Sequence, residues 1–291
     1  MRKAAVSERS YSAFTDVVLE GILASRSYTI LPMREVKNIL QNAARLGAGK
    51  ELVRKFVGKY LEPANEPQEV LDWCTKHSTP IQDWIQAKDS ERWSEAEQFA
   101  EQMNREAESA LKGLDVQLGG GGHYGLLYFL TDLRRPEVVV ETGVAAGFSS
   151  KAVLTAMAKN NCGKLYSSDF PYCRLEEPEK YIGILVEADI RQRWKLHIRG
   201  DRENLPTITS ELGTMKVDFF HYDSDKSYSG REFAFQSIQP YLSPESICIF
   251  DDIQNNWHFR DVVSTNQFDW RIFEFGGKYL GLLQRVNQKA K

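Results

Sequence analysis

Several features that mark common classes of protein are scarce or missing in this 291-residue chain. It has four cysteines and no CxxC pair, which favours reduced thiols in a reducing cytoplasm, although a disulfide between Cys162 and Cys173 stays open. The formal net charge is only −3, so no basic excess attracts nucleic acid or an anionic membrane surface. The start of the sequence lacks the apolar core of a signal peptide, and no apolar run approaches the length of a membrane span. We therefore expect a cytoplasmic protein that binds neither nucleic acid nor membrane.

The composition is that of a chain able to bury a sizeable core. With 42% hydrophobic and 26% charged residues, it suits one large α/β domain, or a core domain with a smaller helical one. Apolar positions recur at intervals of three and four in 14–24, 36–61 and 93–114, which predicts helices over residues 1–112. Several prolines divide this region into short helices. Its role is left open between oligomerisation, which includes a homo-oligomer, enclosure of a substrate and recognition of a substrate.

The pattern changes at the four glycines of residues 119–122, which predict a loop. Beyond it, short apolar runs alternate with segments long enough for one crossover helix, as expected of strands buried on both faces of a parallel sheet. The predicted strands are 137–141, 164–168, 195–199, 217–222 and 246–250. Two further strand-like runs around Gly276 and Gly277 predict an antiparallel hairpin. Residues 113–291 are thus predicted to form an α/β domain with a doubly wound, mostly parallel seven-stranded sheet.

Ligands of open α/β sheets bind outside the carboxyl ends of the strands, so the residues there are the candidate site. After the first strand, Gly143 and Gly147 open a helix, but their spacing is not the GxGxxG of a dinucleotide fold. Asp169 ends the second strand, where a carboxylate can accept both hydroxyls of a ribose, and Asp201 follows the third, near the expected adenine. Each alone is equally an ordinary turn or a helix cap. Together they predict a nucleoside site.

Pairs of aspartates end the fourth and fifth predicted strands, in the stretches VDFFHYDSDKSY and ICIFDDIQNN. The fourth strand is followed by Asp223 and Asp225, and the fifth by Asp251 and Asp252. Neighbouring strands would bring these carboxylates into one cleft, where they raise one another's pKa unless a cation neutralises them. An all-carboxylate set suits a hard cation such as Mg²⁺, with Mn²⁺ as an alternative. The other interpretation is that Asp251 caps a helix and Asp225 faces solvent.

Other side chains near these strand ends admit two interpretations each. His221 lies within the fourth strand, which favours a packed core residue over a ligand. His123 follows the glycine run and belongs either to a lid over the site or to a surface loop. Trp257 and His258 follow the acids of the fifth strand and are candidates to line an acceptor pocket.

Taken together, these motifs resemble those of the class I S-adenosylmethionine-dependent methyltransferases. The resemblance rests on E-x-G-x-x-x-G at 141–147, on Asp169 and Asp201, and on HYDSDKSY and IFDDI. It covers residues 115–287 and is nearest to the macrocin O-methyltransferase and cephalosporin-hydroxylase-like group. It implies that the glycine loop passes under the methionine part of the cofactor, that Asp169 holds the ribose and that Asp201 meets the adenine. The cofactor-binding residues that it implies are Glu141, which orients the loop, Thr142, Gly143, Gly147, Ser149, Asp169 and Asp201.

The same resemblance implies a metal ion and a base. In the metal-dependent members, aspartates that end strands four and five bind a divalent cation, which makes Asp223, Asp251 and Asp252 the expected ligands of Mg²⁺ or Mn²⁺. Asp225 is the expected base toward the acceptor hydroxyl. The relatives commonly show D-G-D-H where this chain has DSDK, so Lys226 replaces a histidine. That lysine is a base with a depressed pKa, a partner of one of the acids, or an exposed side chain.

The sequence therefore predicts a metal-dependent O-methyltransferase that acts on a hydroxylated small molecule. A sugar or glycoside is favoured because a chelated vicinal diol suits the metal, and catechol-like phenols satisfy the same geometry. Three alternatives stay open: a metal-independent methyltransferase, a nicotinamide-dependent oxidoreductase, and a binding protein on a methyltransferase-like scaffold. The absent GxGxxG and the terminal hairpin both argue against the oxidoreductase.

Overall fold

A computed structural model describes residues 33–46, 67–86, 88–114 and 116–285, together with residues 49, 51, 52 and 54. The helix predicted at 14–24 lies outside the described residues, as does most of the pattern at 36–61 beyond residue 46. Four helices lie in the described part of residues 1–112. They are α1 (Met33–Leu46), α2 (Pro67–His77), α3 (Ile81–Gln86) and α4 (Ser90–Ala110). Asp89 caps α4, because its side-chain oxygen accepts the backbone N–H of Arg92 at 3.1 Å.

The sheet has seven strands in the order β3-β2-β1-β4-β5-β7-β6. Five strands are parallel to one another, and β7 enters antiparallel between β5 and β6, so the sheet is mixed rather than strictly parallel. The strands are β1 (Val138–Thr142), β2 (Lys164–Ser168), β3 (Trp194–His197), β4 (Val217–Tyr222), β5 (Leu242–Phe250), β6 (Phe268–Phe275) and β7 (Lys278–Arg285). The predicted hairpin at Gly276 and Gly277 is confirmed, as is the adjacency of β4 and β5.

Three strands differ from their predicted bounds, and the first of them, β1, is shifted by one residue to Val138–Thr142. The third strand ends at His197 rather than residue 199, because the N–H of Arg199 bonds to the Asn204 side chain and Gly200 takes a positive φ of 85°. The fifth strand begins at Leu242 rather than residue 246, because Leu242 already pairs with Val217 before a bulge in the ladder.

Helices cover both faces of the sheet. They are α5 (Tyr124–Arg134), α6 (Phe148–Asn160), α7 (Asp201–Leu212), α8 (Tyr228–Ile238) and α9 (His258–Val263). Successive side chains of a strand point to opposite faces, so Val139 packs with α4, α5 and α6 while Val138 and Val140 pack with α2, α7, α8 and α9. The fold is therefore doubly wound, with α2 and α4 packed onto opposite faces of the sheet.

Helix α1 lies over the segment that follows β2. The side-chain amide of Asn42 donates hydrogen bonds to the carbonyls of Cys173, at 3.0 Å, and Leu175, at 2.8 Å. Ile39 packs against Phe170, the residue after Asp169. The first described helix thus covers one end of the sheet edge at which the candidate site lies.

The parallel strands β1 to β5 end at this common edge. The four cysteines, all within the described residues, form no disulfide. Among the helices that the structure describes, none is long and apolar enough to span a membrane.

Candidate active site

Glu141 anchors the loop that follows β1. Its side chain is fully buried, and Oε2 accepts hydrogen bonds from the hydroxyls of Ser150, at 2.6 Å, and Ser167, at 2.7 Å. Burial would raise the pKa of Glu141, but the charge of His221 and the nearby serine hydroxyls, which include Ser149, hold it below its usual value. Glu141 therefore links the start of α6 to β1 and β2, and its role in orienting the cofactor loop stays a prediction.

The two glycines of this loop are required by contacts within the chain. Gly143 has φ +84°, and a Cβ there would overlap the carbonyl oxygen of Asp223. The backbone N–H of Asp223 also donates to the carbonyl of Thr142 at 3.0 Å. Gly147 has φ +98° and approaches Gly183 closely. The loop was predicted to need glycine because it passes close to a ligand. In the structure, each glycine is needed because backbone of the chain itself lies close by, and for Gly143 that backbone is Asp223, which follows β4.

Asp169 joins the end of β2 to the glycine loop. Its Oδ2 accepts the backbone N–H of Ala145 at 2.8 Å, and its Oδ1 accepts that of Phe170 at 2.7 Å. The Tyr172 side chain lies near, and burial together with the charges of Asp169 and Asp223 raises the pKa of its phenol. Sequence reasoning missed Tyr172, and its position just beyond the acid at the end of the second strand was the available signal.

Asp201, in the first turn of α7, is held by two serines. Its Oδ1 accepts the hydroxyl of Ser168 at 2.6 Å, and its Oδ2 accepts that of Ser224. The Ser224 hydroxyl also lies 3.1 Å from that of Thr142. The carboxylates predicted to bind the cofactor thus accept hydrogen bonds from hydroxyls and backbone amides near the ends of β1, β2 and β4.

The predicted metal ligands converge at the ends of β4 and β5, and a lysine lies among them. The ammonium of Lys226 makes a short hydrogen bond to Asp223 and lies 3.1 Å from Oδ2 of Asp252. The ammonium of Lys278 lies 3.6 Å from the other oxygen of Asp252. Burial and the charge of Asp251 raise the pKa of Asp223 to about 6, against the opposing effect of Lys226. Burial would also raise the pKa of Asp252, but Lys226 and Lys278 hold it below its usual value.

This donor set does not fit a divalent cation as it is arranged. Within the described part of the chain, no group of three or more His, Cys, Asp or Glu side chains is positioned to hold a metal ion. The ammonium of Lys226 instead bridges carboxylates from two strands. No catalytic step is therefore assigned to a metal ion. Lys226 is therefore a partner of the acids, which is one of the three roles predicted for it.

Asp225 lies apart from this cluster. Strand β4 ends at Tyr222, so the alternation that would turn Asp223 and Asp225 to one face does not extend this far. The carboxylate accepts the backbone N–H of Ser227 at 2.9 Å and lies against Gly230, where a Cβ would overlap it. In this position Asp225 shapes the turn into α8, and its role as a base stays a prediction.

His221 links the two groups of acids. It is buried within β4 as predicted, with Nδ1 3.7 Å from Glu141 and Nε2 3.9 Å from Asp251. Burial would lower the pKa of His221, but the two carboxylates raise it to about 10. The core histidine is therefore a buried cation at neutral pH.

Arg231 is a further buried cation that sequence reasoning missed. Its Nη2 donates to the backbone carbonyls of Asp251, at 2.8 Å, and Asp252, at 2.9 Å. Its position on the apolar stripe of α8, three and four residues before Ala234 and Phe235, was the available signal. Arg231 therefore binds the backbone of the acid pair Asp251 and Asp252.

A small pocket adjoins the acids of β5. Its walls are the loop at Gly121, Gly122 and His123, the acids Asp251 and Asp252, and the hairpin residues Phe275, Lys278, Tyr279 and Leu280. The rings of His123 and Phe275 stack with centroids 4.1 Å apart. Burial lowers the pKa of His123 to about 4, so this wall is uncharged at neutral pH. His123 thus reaches the candidate site, whereas Trp257 and His258 do not line this pocket.

Comparison with known proteins identifies the domain. Residues 140–253 match the family model described as "Methyltransferase domain". Similar solved structures include the O-methyltransferase TomG from Streptomyces achromogenes, involved in tomaymycin synthesis and in complex with SAM. It is 18% identical, with 68% of this chain and 91% of that chain covered and a TM-score of 0.49. Another is the O-methyltransferase from Bacillus cereus in complex with SAH, at 13% identity, 73% and 100% coverage, and a TM-score of 0.47.

A third is CalS11, a TDP-rhamnose 3'-O-methyltransferase in calicheamicin biosynthesis, at 21% identity, 55% and 76% coverage, and a TM-score of 0.43. No curated protein matches the chain. At these identities and TM-scores, the similar structures carry no argument about substrate. The domain match covers β1 to the acids of β5, within a sheet that has the expected antiparallel hairpin. The chain therefore contains a region, residues 140–253, that matches a methyltransferase domain.

Proposed function

We propose that this protein transfers a methyl group from S-adenosylmethionine to a hydroxyl of a small molecule. One observation carries the proposal: Gly143 of the predicted cofactor loop packs against Asp223, and Asp223 lies in the cluster that adjoins the pocket of His123 and Phe275. A cofactor on that loop and an acceptor in that pocket would share one edge of the sheet. Orientation of two bound reactants is the main contribution such a site can make.

The residues at the ends of β1 and β2 fit the cofactor by their donor chemistry. A carboxylate accepts hydrogen bonds at about four lone-pair positions. Asp169 lies against the glycine loop, so we propose that it holds the ribose hydroxyls, with Asp201 at the adenine end. Glu141, Thr142 and Ser149 would act from behind the loop by fixing its shape. When bound, S-adenosylmethionine supplies an electrophilic methyl group.

We propose a sugar or glycoside as the acceptor. Phe275, an exposed ring stacked on the buried His123, gives the pocket an uncharged aromatic wall, which suits the C–H face of a sugar ring. Asp251, Asp252 and Lys278 give it acceptors and a donor for hydroxyl groups. A carboxylate within hydrogen-bond reach can also orient a hydroxyl for attack and take its proton. A catechol-like phenol would use the same wall and the same acids.

Other predictions from the sequence are not part of this proposal. The proposal includes no divalent cation, because Lys226 already bridges Asp223 and Asp252. The cytoplasmic location, the absence of nucleic-acid and membrane partners, and a homo-oligomer built through the helical region stay predictions.

The test begins with cofactor binding to the full chain. Calorimetric titration with S-adenosylhomocysteine should give saturable binding, and titration with NADH should give none. Purified enzyme with S-adenosylmethionine should then methylate a hydroxyl on at least one member of a panel of sugars, glycosides and catechols, as read by mass spectrometry. Asp252→Asn should lower turnover at least about tenfold through the lost acceptor-side charge, with cofactor affinity unchanged. Asp269→Asn, an exposed acid on β6, is the matched control.

Two results would contradict the proposal. If the folded chain did not bind S-adenosylhomocysteine, S-adenosylmethionine would not be its cofactor. If its products were methylated only at nitrogen or carbon, the acceptor group would not be a hydroxyl. If Asp252→Asn matched the activity of Asp269→Asn, the pocket would not be the acceptor site.

A further inference from the structure

We propose that the ammonium of Lys226 takes the place of a divalent cation at the ends of β4 and β5, so that the protein binds no metal ion there. The inference goes beyond the proposed function, because it concerns the charge balance of the site whatever the acceptor. It corrects the metal site predicted at Asp223, Asp251 and Asp252.

The position of the ammonium is the first argument. It contacts Asp223, which follows β4, and Asp252, which follows β5, and so bridges the two strands as a shared cation would. A lysine ammonium is a compact charge with three donors, which suits a bridge between carboxylates. A metal ion bound between the same two oxygens would have to displace it.

The turn that carries Lys226 is the second argument. The backbone carbonyl of Lys226 accepts a hydrogen bond from the side chain of Asn256 at 2.8 Å. Asn256 is buried and follows the acid pair of β5 by four residues. The lysine is therefore tied to the same loop as the carboxylates that it bridges, so it is built into the site.

Charge balance is the third argument. Four cations lie near the three carboxylates: Lys226 and Lys278 at the side chains, Arg231 at the backbone of the acid pair, and His221 beside Asp251. The charge of Arg231 interacts with all three acids. A divalent ion added to this arrangement would bring two excess positive charges into a partly buried cluster, where unbalanced charge is costly.

Ligand supply is the fourth argument. Mg²⁺ demands near-octahedral oxygen coordination at short distance. The backbone carbonyls of Asp251 and Asp252 already accept hydrogen bonds from Arg231, and the Asp251 side chain lies near His221. The described residues therefore offer a divalent ion few carboxylate oxygens that do not already face a cation.

Binding of Mn²⁺ to the full chain, measured by electron paramagnetic resonance and calorimetry, tests the inference without cofactor or acceptor. Wild-type protein should bind Mn²⁺ no tighter than surface carboxylates do. Lys226→Met removes the ammonium and keeps an unbranched side chain, so three acids would be left short of a cation, and Mn²⁺ affinity should rise at least about tenfold. Adding Asp252→Asn to Lys226→Met should remove that gain. Lys226→Arg, which keeps the charge, should bind as wild type does, and so should Lys164→Ala at the opposite edge of the sheet.

The proposal is wrong if wild-type protein binds Mn²⁺ tightly and Asp252→Asn abolishes the binding. It is also wrong if folded Lys226→Met, checked by circular dichroism, gains no affinity. Should that variant fail to fold, Lys226→Gln provides the same comparison. Methyl transfer by the wild type should be insensitive to EDTA. Since Mn²⁺ binding needs neither substrate, failure of the proposed function would leave this test intact.

Discussion

The two halves of the site edge neutralise their acids in different ways. In the half formed by β1 to β3, the carboxylates accept hydrogen bonds from serine hydroxyls and backbone amides, and Glu141 also lies near the buried cation His221. In the half formed by β4 and β5, they face ammonium and guanidinium groups. The first set is Glu141, Asp169 and Asp201, and the second is Asp223, Asp251 and Asp252.

This difference has a physical consequence. Neutral donors stabilise a carboxylate without cancelling its charge, and a charged carboxylate suits contact with a sulfonium and with ribose hydroxyls. Fixed cations cancel the charge of the second half, which suits a neutral, hydroxylated acceptor. His221, close to Glu141 and Asp251, is the cation that the two halves share.

The largest expected effect on this difference between the two halves is the loss of stability on removal of Glu141. Glu141→Ala leaves two buried serine hydroxyls without their acceptor and removes one of the carboxylates near His221, so the free energy of unfolding should fall by about 3–5 kcal/mol. Urea denaturation measures this. Glu137→Ala, an exposed glutamate just before β1, should change stability by less than about 0.5 kcal/mol. A loss below about 1 kcal/mol in Glu141→Ala would mean that the buried network contributes little.

Acid should destabilise the pocket side through His123. Burial lowers its folded pKa from 6.5 to about 4. In the unfolded chain the imidazole binds a proton near pH 6.5, whereas the folded chain resists protonation, so stability is present above pH 6.5 and lost as the pH falls toward 4. Between pH 7.5 and 4.5, wild type should lose about 3 kcal/mol more than His123→Phe, which keeps the stack on Phe275. Equal losses in urea denaturation at the two pH values would contradict this.

Loss of charge at Asp169 should weaken cofactor binding. Asp169→Asn removes a charged acceptor beside the glycine loop, so affinity for S-adenosylhomocysteine should fall about tenfold, equivalent to 1.4 kcal/mol. Calorimetry measures the dissociation constant. Asp189→Asn, an exposed acid in the following loop, is the control. An unchanged dissociation constant would show that the first half does not bind the ribose through this residue.

The smallest effect should come from Ser224. Ser224→Ala removes one hydroxyl donor to Asp201 and should cost about 1 kcal/mol of stability, with a smaller loss of cofactor affinity. Urea denaturation of this variant beside Ser94→Ala, an exposed helical serine, measures it. Identical midpoints would mean that the hydrogen bond from Ser224 to Asp201 contributes little to stability.

Sequence patterns predicted the sheet well, because buried parallel strands leave short apolar runs that helices separate. The acids could be assigned to one edge, since parallel strands end together. The partners of each acid could not be predicted, because they depend on register and packing between distant residues: Ser224 reaches Asp201, and Arg231 reaches Asp251, across separate elements. The position of Asp225 could not be predicted because β4 ends three residues earlier, at Tyr222. The alternation of side chains along a strand therefore no longer applies to Asp225.

The contacts of α1 affect how the site becomes accessible. Asn42 bonds to carbonyls 131 and 133 residues away, so these contacts form only after a long stretch of chain has folded. A helix attached in this way opens at a free energy below that of global unfolding. The amides of α1 should therefore exchange with deuterium sooner than those of β1, and the residues after Asp169 become exposed each time the helix departs.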